Sequence, residues 1–156
     1  MSKARTQKPI GHYLFIAFAA LGLLLGSGWS ASEAFAEKVK VLYHVDGKDP
    51  AVAKYAMALI NKHIEAEGGP ENIDIVLVVH GPALALFDKE TIDPELLKRF
   101  KLIIDSGAKA EMCQVSMKFF KKPLDQLAPG FQPTAHPVAV KRIADLQKEG
   151  YLYIKP

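Results

Sequence analysis

Cys113 is the only cysteine in the sequence, and it stands where a short strand-like segment gives way to a helical pattern. A single cysteine cannot close a disulfide within its own chain. Its thiol must be buried and inert, joined to another molecule, bound to a metal, or reactive. Residues 109–117 are typical of a strand that runs directly into a helix. We expect a cysteine at such a junction to have an exposed sulfur. Because the amides of a helix start favour an anion, we also expect the pKa of its thiol to be lowered.

Three histidines occupy similar places in the pattern. His44 and His80 lie at or near the ends of two strand-like segments, and His136 follows a later one. Since ligands bind beyond the carboxyl ends of the strands in an open parallel sheet, these side chains and Cys113 are predicted to meet at one edge. In one interpretation Cys113 is a nucleophilic thiolate, and His80 and His44 hold a positive charge or accept its proton. Such a thiolate can carry sulfane sulfur as a persulfide and pass it on.

The same four side chains allow a second chemistry. One thiolate with two or three imidazoles, from His44, His80, Cys113 and His136, is a soft ligand set suited to copper or zinc. The spacing contains no compact metal-binding motif, and a histidine that ends a strand often bonds only to the backbone. The alternative function is therefore a metal-binding or small-ligand-binding module at this edge.

A third interpretation gives Cys113 no chemical role. Free cysteine is among the most buried residue types and often fills space as a small apolar side chain. The protein would then be an oligomeric structural or interaction protein. Three lysines follow the cysteine, Lys118, Lys121 and Lys122. They are typical of a solvated face, although they could also draw an anionic sulfur species toward the thiol.

The N-terminal segment has the order of a secretory signal. Residues 1–12 carry basic side chains and no acid, residues 14–25 are almost wholly apolar, and the segment ends in Ala34-Phe35-Ala36. The apolar run is shorter than the ~20 residues of a spanning helix. We expect a signal peptide over residues 1–36 and cleavage after Ala36. The remaining chain would be periplasmic or secreted and free of the membrane. An uncleaved anchor is the alternative, because residues 26–29 could extend the apolar run.

Composition disfavours several classes of function. The sequence has 20 basic and 17 acidic residues, of which three basic residues and one acidic residue precede residue 37, so the remainder has a net charge near +1. Nothing in this balance implies a nucleic-acid partner. The chain lacks a glycine-rich phosphate loop, a serine nucleophile elbow and a paired-carboxylate site. We therefore predict neither a nucleotide enzyme nor a hydrolase, and no cofactor.

The elements that must position these side chains alternate along the chain. Strands are predicted at 39–45, 73–80, 108–112, 131–136 and 151–154. Helices are predicted between them, two of them beginning at the Asp-Pro pairs Asp49-Pro50 and Asp93-Pro94. Residues 73–80 form a nearly continuous apolar run, as in a strand buried on both faces. This alternation predicts an α/β fold with a mainly parallel sheet and helices on both faces.

Several segments resemble the DsrE/DsrF-like family of sulfur-relay proteins. They are the opening strand 39–45 with its Asp-rich turn, Val78-Val79-His80-Gly81, residues 113–117, residues 127–130, and the closing residues 143–156. The resemblance covers essentially all of residues 37–156 as one domain. It implies a three-layer α/β/α domain with a five-stranded, mainly parallel sheet, assembled as a trimer or hexamer.

The resemblance also implies that Cys113 carries sulfur, with a small sulfur species or a sulfur-carrier protein as partner. The sequence departs from the pattern at two points. The export signal would separate the protein from cytoplasmic sulfur donors. Val138-Ala139-Val140 stand where a glycine is expected before the last helix.

Overall fold

The structure is a computed structural model, and it describes residues 37–156. The strands are β1 (Val39–Val45), β2 (Ile73–Val79), β3 (Lys109–Met112), β4 (Phe131–Pro133) and β5 (Leu152–Ile154). The α-helices are α1 (Pro50–Ala66), α2 (Pro94–Asp105), α3 (Gln114–Phe119) and α4 (Ala139–Lys148). Short 3₁₀ segments span Gly81–Phe87 and Leu124–Gln126. Within this part of the chain, no helix is both long and apolar enough to span a membrane.

The five strands form one sheet in the order β4-β3-β2-β1-β5, and every neighbouring pair is parallel. Each connection therefore has to cross over the sheet, and helices fill those crossovers. The predicted α/β class with a five-stranded parallel sheet is confirmed. β2, the nearly continuous apolar run, lies at the centre of the sheet, where both of its faces are covered.

Local chemistry explains why two of the helices begin where they do. The Asp49 carboxylate accepts a hydrogen bond from the N–H of Ala51 at 2.8 Å. The Asp93 carboxylate accepts bonds from the N–H groups of Glu95 and Leu96 at 2.9 and 3.0 Å. Proline follows each aspartate at the first helical position, where the missing N–H is not needed. Both predicted helix starts are thus present in the structure.

Side chains of successive strand residues point to opposite faces and fill two separate cores. The larger core lies under α1 and α2 and contains Val41, Val79 and the aromatic cluster of Phe87, Phe100 and Phe131. The smaller core lies under α4; its buried members are Leu42, Val76, Val78, Cys113, Ala139, Ile143 and Leu146. The sheet therefore has helices on both faces, as expected for three layers.

A buried ion pair fixes α4 over the smaller core. Glu111 of β3 is buried, and the Arg142 guanidinium donates to its carboxylate from Nε and from a terminal nitrogen, each at 2.9 Å. Arg142 lies one turn into α4. An arginine–carboxylate pair with two parallel hydrogen bonds fixes the orientation of the two side chains as well as the distance between them. It holds the first turn of α4 beside the end of β3, where Cys113 lies.

Some predicted boundaries differ from the structure. β4 ends at Pro133 rather than at residue 136. The last ladder bond runs from the N–H of Thr134 to the Met112 carbonyl oxygen at 3.0 Å, and Pro133 is tolerated because its missing N–H faces the open edge of the sheet. His136 is therefore in the connection that leads to α4. α3 ends at Phe119, and Lys121 beyond it has a positive φ of 51°.

Candidate functional site at the carboxyl edge of the sheet

Cys113 follows β3 directly and precedes the first turn of α3. Its N–H donates to the Val79 carbonyl oxygen at 2.9 Å, which extends the β2–β3 ladder by one step. The residue is only 4% exposed, so the prediction of an exposed sulfur is wrong. The cause is α4: Ala139, its first residue, packs in the same core, and the thiol donates a hydrogen bond to the Pro137 carbonyl oxygen, 3.6 Å from Sγ.

The surroundings of this sulfur are rich in hydrogen-bond donors. Burial raises the pKa of the Cys113 thiol. Hydrogen bonds from the hydroxyl and N–H of Ser116, and from the N–H groups of Ala139 and Val115, outweigh burial and leave the pKa below its ordinary value of 9.0. Ser116 and Val115 belong to the first turn of α3, and Ala139 begins α4. The positive ends of two helices thus converge on one sulfur.

A further contact orients the Ser116 hydroxyl. Its oxygen accepts a hydrogen bond from the N–H of Gly81 at 2.8 Å, so its own hydrogen is free to point at Sγ. Gly81 has a φ of +60°, a conformation that side-chain-bearing residues rarely adopt, and it turns the chain immediately after His80. The turn after β2 therefore helps to stabilise the thiolate after β3.

His44 lies near the end of β1 and is 6% exposed. Its ring stacks on that of His80, with centroids 4.8 Å apart and planes 17° from parallel. Nδ1 lies 2.7 Å from the Tyr153 hydroxyl of β5, and Nε2 lies 3.8 Å from Oδ2 of Asp46. The Nε2 atoms of both histidines are buried and have no hydrogen-bond partner among the described residues.

Burial favours the neutral form of both histidines. Burial, followed by the proximity of His80, lowers the pKa of His44 to about 4, and Asp46 opposes this shift. Burial also lowers the pKa of His80, again against the influence of Asp46. Neutral rings cannot supply a positive charge to the thiolate, but they can accept a proton or bind a cation through a free nitrogen lone pair.

Asp46 completes this second group. Its carboxylate receives a hydrogen bond from Lys155 Nζ at 2.7 Å, and this bond lowers the pKa of Asp46. One potential ligand atom from each of His44, Asp46 and His80 lies within 4.8 Å of the others. We call these three residues the histidine–aspartate cluster.

The structure brings together some of the predicted site residues and separates others. Alternation along the strands places Cys113, His80 and His44 on the α4 face of the sheet, on the neighbouring strand ends of β3, β2 and β1. In the described part of the chain, no hydrogen bond joins Sγ to either ring. His136 lies elsewhere: its Nδ1 accepts from the N–H of Val138 at 3.1 Å, and it lines a cavity of about 390 Å³ beside α4.

The three lysines that follow Cys113 lie in two different environments. Lys122 donates to the carboxylate of Asp88. Lys118 and Lys121 instead line a cavity of about 500 Å³ on the outer side of α3, together with Gln114, the neighbour of the cysteine.

The match to known proteins covers the whole of this region. A family model described as the DsrE/DsrF-like family matches residues 30–156. The chain belongs to the DsrE/DsrF-like family. The resemblance noted in the sequence is thereby confirmed. None of the curated proteins matches the chain.

Solved structures share the fold of this DsrE/DsrF-like chain at low identity. A protein of unknown function, MTH1491 from Methanobacterium thermoautotrophicum, is 18% identical with a TM-score of 0.66 over 76% of this chain and 100% of its own. The ychN protein from E. coli is 10% identical with a TM-score of 0.56, over 77% and 99% of the two chains. BT1422 from Bacteroides thetaiotaomicron, a conserved protein of unknown function, is 14% identical with a TM-score of 0.51, over 75% and 94%.

Two residues of this DsrE/DsrF-like site were missed in the sequence. Asp46 is typical of the turn that follows β1, but it stands two residues after His44, where its carboxylate can reach the same strand end. Ser116 is a small polar residue at the third position of a helix, a place where its hydroxyl can reach back to the residue before the helix. That spacing from Cys113 is the signal that could have found it.

Proposed function

We propose that this protein binds and transfers sulfane sulfur through Cys113, as a sulfur carrier or transferase. Membership of the DsrE/DsrF-like family supports the class of function. The observation that carries the proposal for this chain is the set of donors around Sγ. Two helix starts and the Ser116 hydroxyl favour the thiolate, which is the form that attacks sulfur.

The transfer step needs no redox partner. The Cys113 thiolate attacks a sulfane sulfur of a polysulfide anion, a new S–S bond forms to Sγ, and the adjacent S–S bond breaks. The electron pair of the broken bond leaves with the shortened polysulfide or hydrosulfide. The negative charge of the persulfide then stays on its outer sulfur, and a thiolate of an acceptor removes that sulfur in the reverse sense.

The neutral histidines have a different role in this proposal. His80 follows β2, the strand beside β3, and His44 stacks on it. As neutral bases the two rings can take the proton of an incoming hydropolysulfide. Lys118 and Lys121, on the wall of the neighbouring cavity, attract the anion toward the site. The expected partners are therefore small sulfur species or a sulfur-carrier protein.

We further propose export and self-association. Residues 1–36 would act as a signal peptide cleaved after Ala36, which would place the domain in the periplasm or outside the cell. Exposed apolar side chains support a homo-oligomer, a trimer or hexamer: Phe119 is 78% exposed, Val140 63% and Leu152 62%. Intact mass of the exported protein tests the cleavage, and light scattering after size exclusion tests the assembly.

Mass spectrometry after incubation with polysulfide tests the central proposal. The wild-type protein is expected to gain the mass of one or more sulfur atoms, removable by a thiol reductant, and Cys113→Ser is expected to gain none. Equal gain by both proteins would place the chemistry elsewhere. No gain by the folded protein, with gain after unfolding, would instead favour an inert buried cysteine.

A further inference from the structure

We propose that His44, Asp46 and His80 form a binding site for one divalent transition-metal ion of the zinc class, held without Cys113. Two imidazoles and one carboxylate are a common protein ligand set for such ions. The site lies at the same sheet edge as the cysteine but does not use its sulfur as a ligand.

The unpartnered nitrogens carry the argument. The Nε2 atoms of His44 and His80 are buried and have no donor or acceptor partner among residues 37–156. A buried polar atom without a partner lowers the stability of the folded state, so native proteins rarely keep two side by side. A metal ion bound to both nitrogens would satisfy the two lone pairs at once. Because an imidazole binds a metal in its own plane, the His80 ring has to rotate out of its stack on His44 to reach the same ion.

Tyr153 fixes the ring of His44 in the orientation that a metal requires. When Nδ1–H donates to the Tyr153 oxygen, at 2.7 Å, the lone pair of that ring is on Nε2, which faces Asp46. Metal-binding histidines usually donate their other ring N–H to an oxygen in this way. Tyr153 is thus a positioning residue for the site.

The distances are close to those of an assembled site. Ligand atoms of the three residues lie within 4.8 Å of one another, and Nε2 of His44 is 3.8 Å from Oδ2 of Asp46. In a tetrahedral zinc site, neighbouring ligand atoms lie about 3.3 Å apart. Asp46 is partly exposed in a loop, so rotation of its side chain can close most of the gap. Three protein ligands leave a fourth position for water or a substrate atom.

Lys155 is the competitor of the metal. Its ammonium group donates to Oδ2 of Asp46 at 2.7 Å and neutralises that carboxylate in the structure. A bound cation would take over this role and displace Lys155 into solvent. Removal of the lysine charge should therefore tighten metal binding, whereas a lysine with no part in the site would have no such effect.

Titration calorimetry of the full chain with ZnCl₂, after treatment with a chelator, tests the proposal. We expect one ion per chain and a melting temperature that zinc raises and chelator restores. Asp46→Asn and His80→Gln should weaken zinc binding at least about tenfold, and Tyr153→Phe by about tenfold. Lys155→Met should strengthen it several-fold. His136→Gln, the matched histidine control, should leave it unchanged.

Cys113→Ser separates this site from the sulfur chemistry. Zinc affinity unchanged in Cys113→Ser supports the three-ligand site. Absence of zinc binding to the wild type, or loss of binding in Cys113→Ser or His136→Gln but not in Asp46→Asn, would overturn it. Because Asp46 is partly exposed, Asp46→Asn should fold even if His80→Gln does not. Polysulfide loading measured with chelator present remains a separate test of the proposed function.

Discussion

Two regions at one edge of the sheet favour opposite charges: the surroundings of Cys113 favour an anion, and the histidine–aspartate cluster favours a cation. Around Cys113, donors converge from α3, α4 and Ser116 on a single sulfur. In the histidine–aspartate cluster, two ring nitrogens and a carboxylate converge, with Lys155 as the neighbouring cation. Donors favour an anion and acceptors favour a cation. Neighbouring strand ends of one parallel sheet can therefore favour an anion at one position and a cation at the next. The segments that pack against each strand end determine which charge is favoured.

The origin of the two regions also differs. Most donors at Cys113 come from the start of α3, which follows it directly in sequence, and one comes from Ala139 at the start of α4, more than twenty residues away. The acceptors of the cluster come from strand ends and the turn after β1, with Tyr153 and Lys155 supplied by β5 and the chain end. Changes in α4 should therefore affect the thiol alone, and changes near β5 should affect the cluster alone.

The largest effect is expected from Arg142→Met, which leaves the buried Glu111 carboxylate without its partner. Loss of one member of such a pair lowers the free energy of unfolding by about 3 kcal/mol. Since the pair holds the first turn of α4 at Cys113, the thiol pKa should rise as well. Zinc affinity should not change. Denaturant unfolding and a thiol titration measure the two effects.

Two variants control for this result. Lys141→Met breaks only an exposed pair with Asp145 and should change stability by less than about 0.5 kcal/mol. The double variant Glu111→Leu with Arg142→Met removes both charges and should recover most of the stability. If Arg142→Met unfolded no more easily than Lys141→Met, α4 would not be anchored as described.

Asp46→Asn is the sharpest test that the two regions are separate. It should lower zinc affinity at least about tenfold and leave the yield of persulfide on Cys113 unaltered. Calorimetry and mass spectrometry on the same preparation measure both. A parallel fall in persulfide yield would show that the regions act as one site.

Ser116→Ala removes one donor from the thiolate and leaves the Gly81 N–H unpaired. The pKa of Cys113 should rise, because the side-chain hydrogen bond that lowers it is lost while burial still raises it. Ser116→Thr, which keeps a hydroxyl, should restore most of the shift, and Ser106→Ala at the end of α2 should have none. The midpoint of the alkylation rate against pH measures the change. An unaltered midpoint would exclude Ser116 as a donor.

The smallest effect is expected from the lysines on the cavity wall. Lys118→Gln combined with Lys121→Gln should slow the reaction of Cys113 with polysulfide about twofold at low salt and less at high salt, because exposed charges act through screened attraction. Lys101→Gln on α2 is the matched control. A decrease that persists at high salt would point to direct contact instead of steering.

The sequence predicted those parts of the fold that depend on neighbouring residues. Asp49 and Asp93 bond to amides two or three positions on, so the helix starts could be inferred from the chain alone. The apolar run of β2 likewise predicted a central strand. The resemblance to the DsrE/DsrF-like family could also be recognised from the sequence, because it rests on short segments of neighbouring residues.

The candidate site was harder to predict because it depends on contacts between distant residues. Burial of Cys113 follows from the placement of α4, which the Glu111–Arg142 pair controls across 31 positions. His136 was expected at a strand end but lies three residues beyond the end of β4. Asp46 joins the histidines only when β2 lies beside β1.

The stabilisation of the Cys113 thiolate can be measured by a pH titration of thiolate absorbance in the folded protein, taken as the difference between wild type and Cys113→Ser. It needs no reagent to reach the buried sulfur. We expect the midpoint of this titration, which is the pKa of the Cys113 thiol, to lie below 9.0. The free energy of unfolding should then rise with pH between that midpoint and 9.0, since the unfolded chain binds more protons there. A midpoint at or above 9.0 would show that the donors around Sγ do not outweigh its burial and do not favour the thiolate.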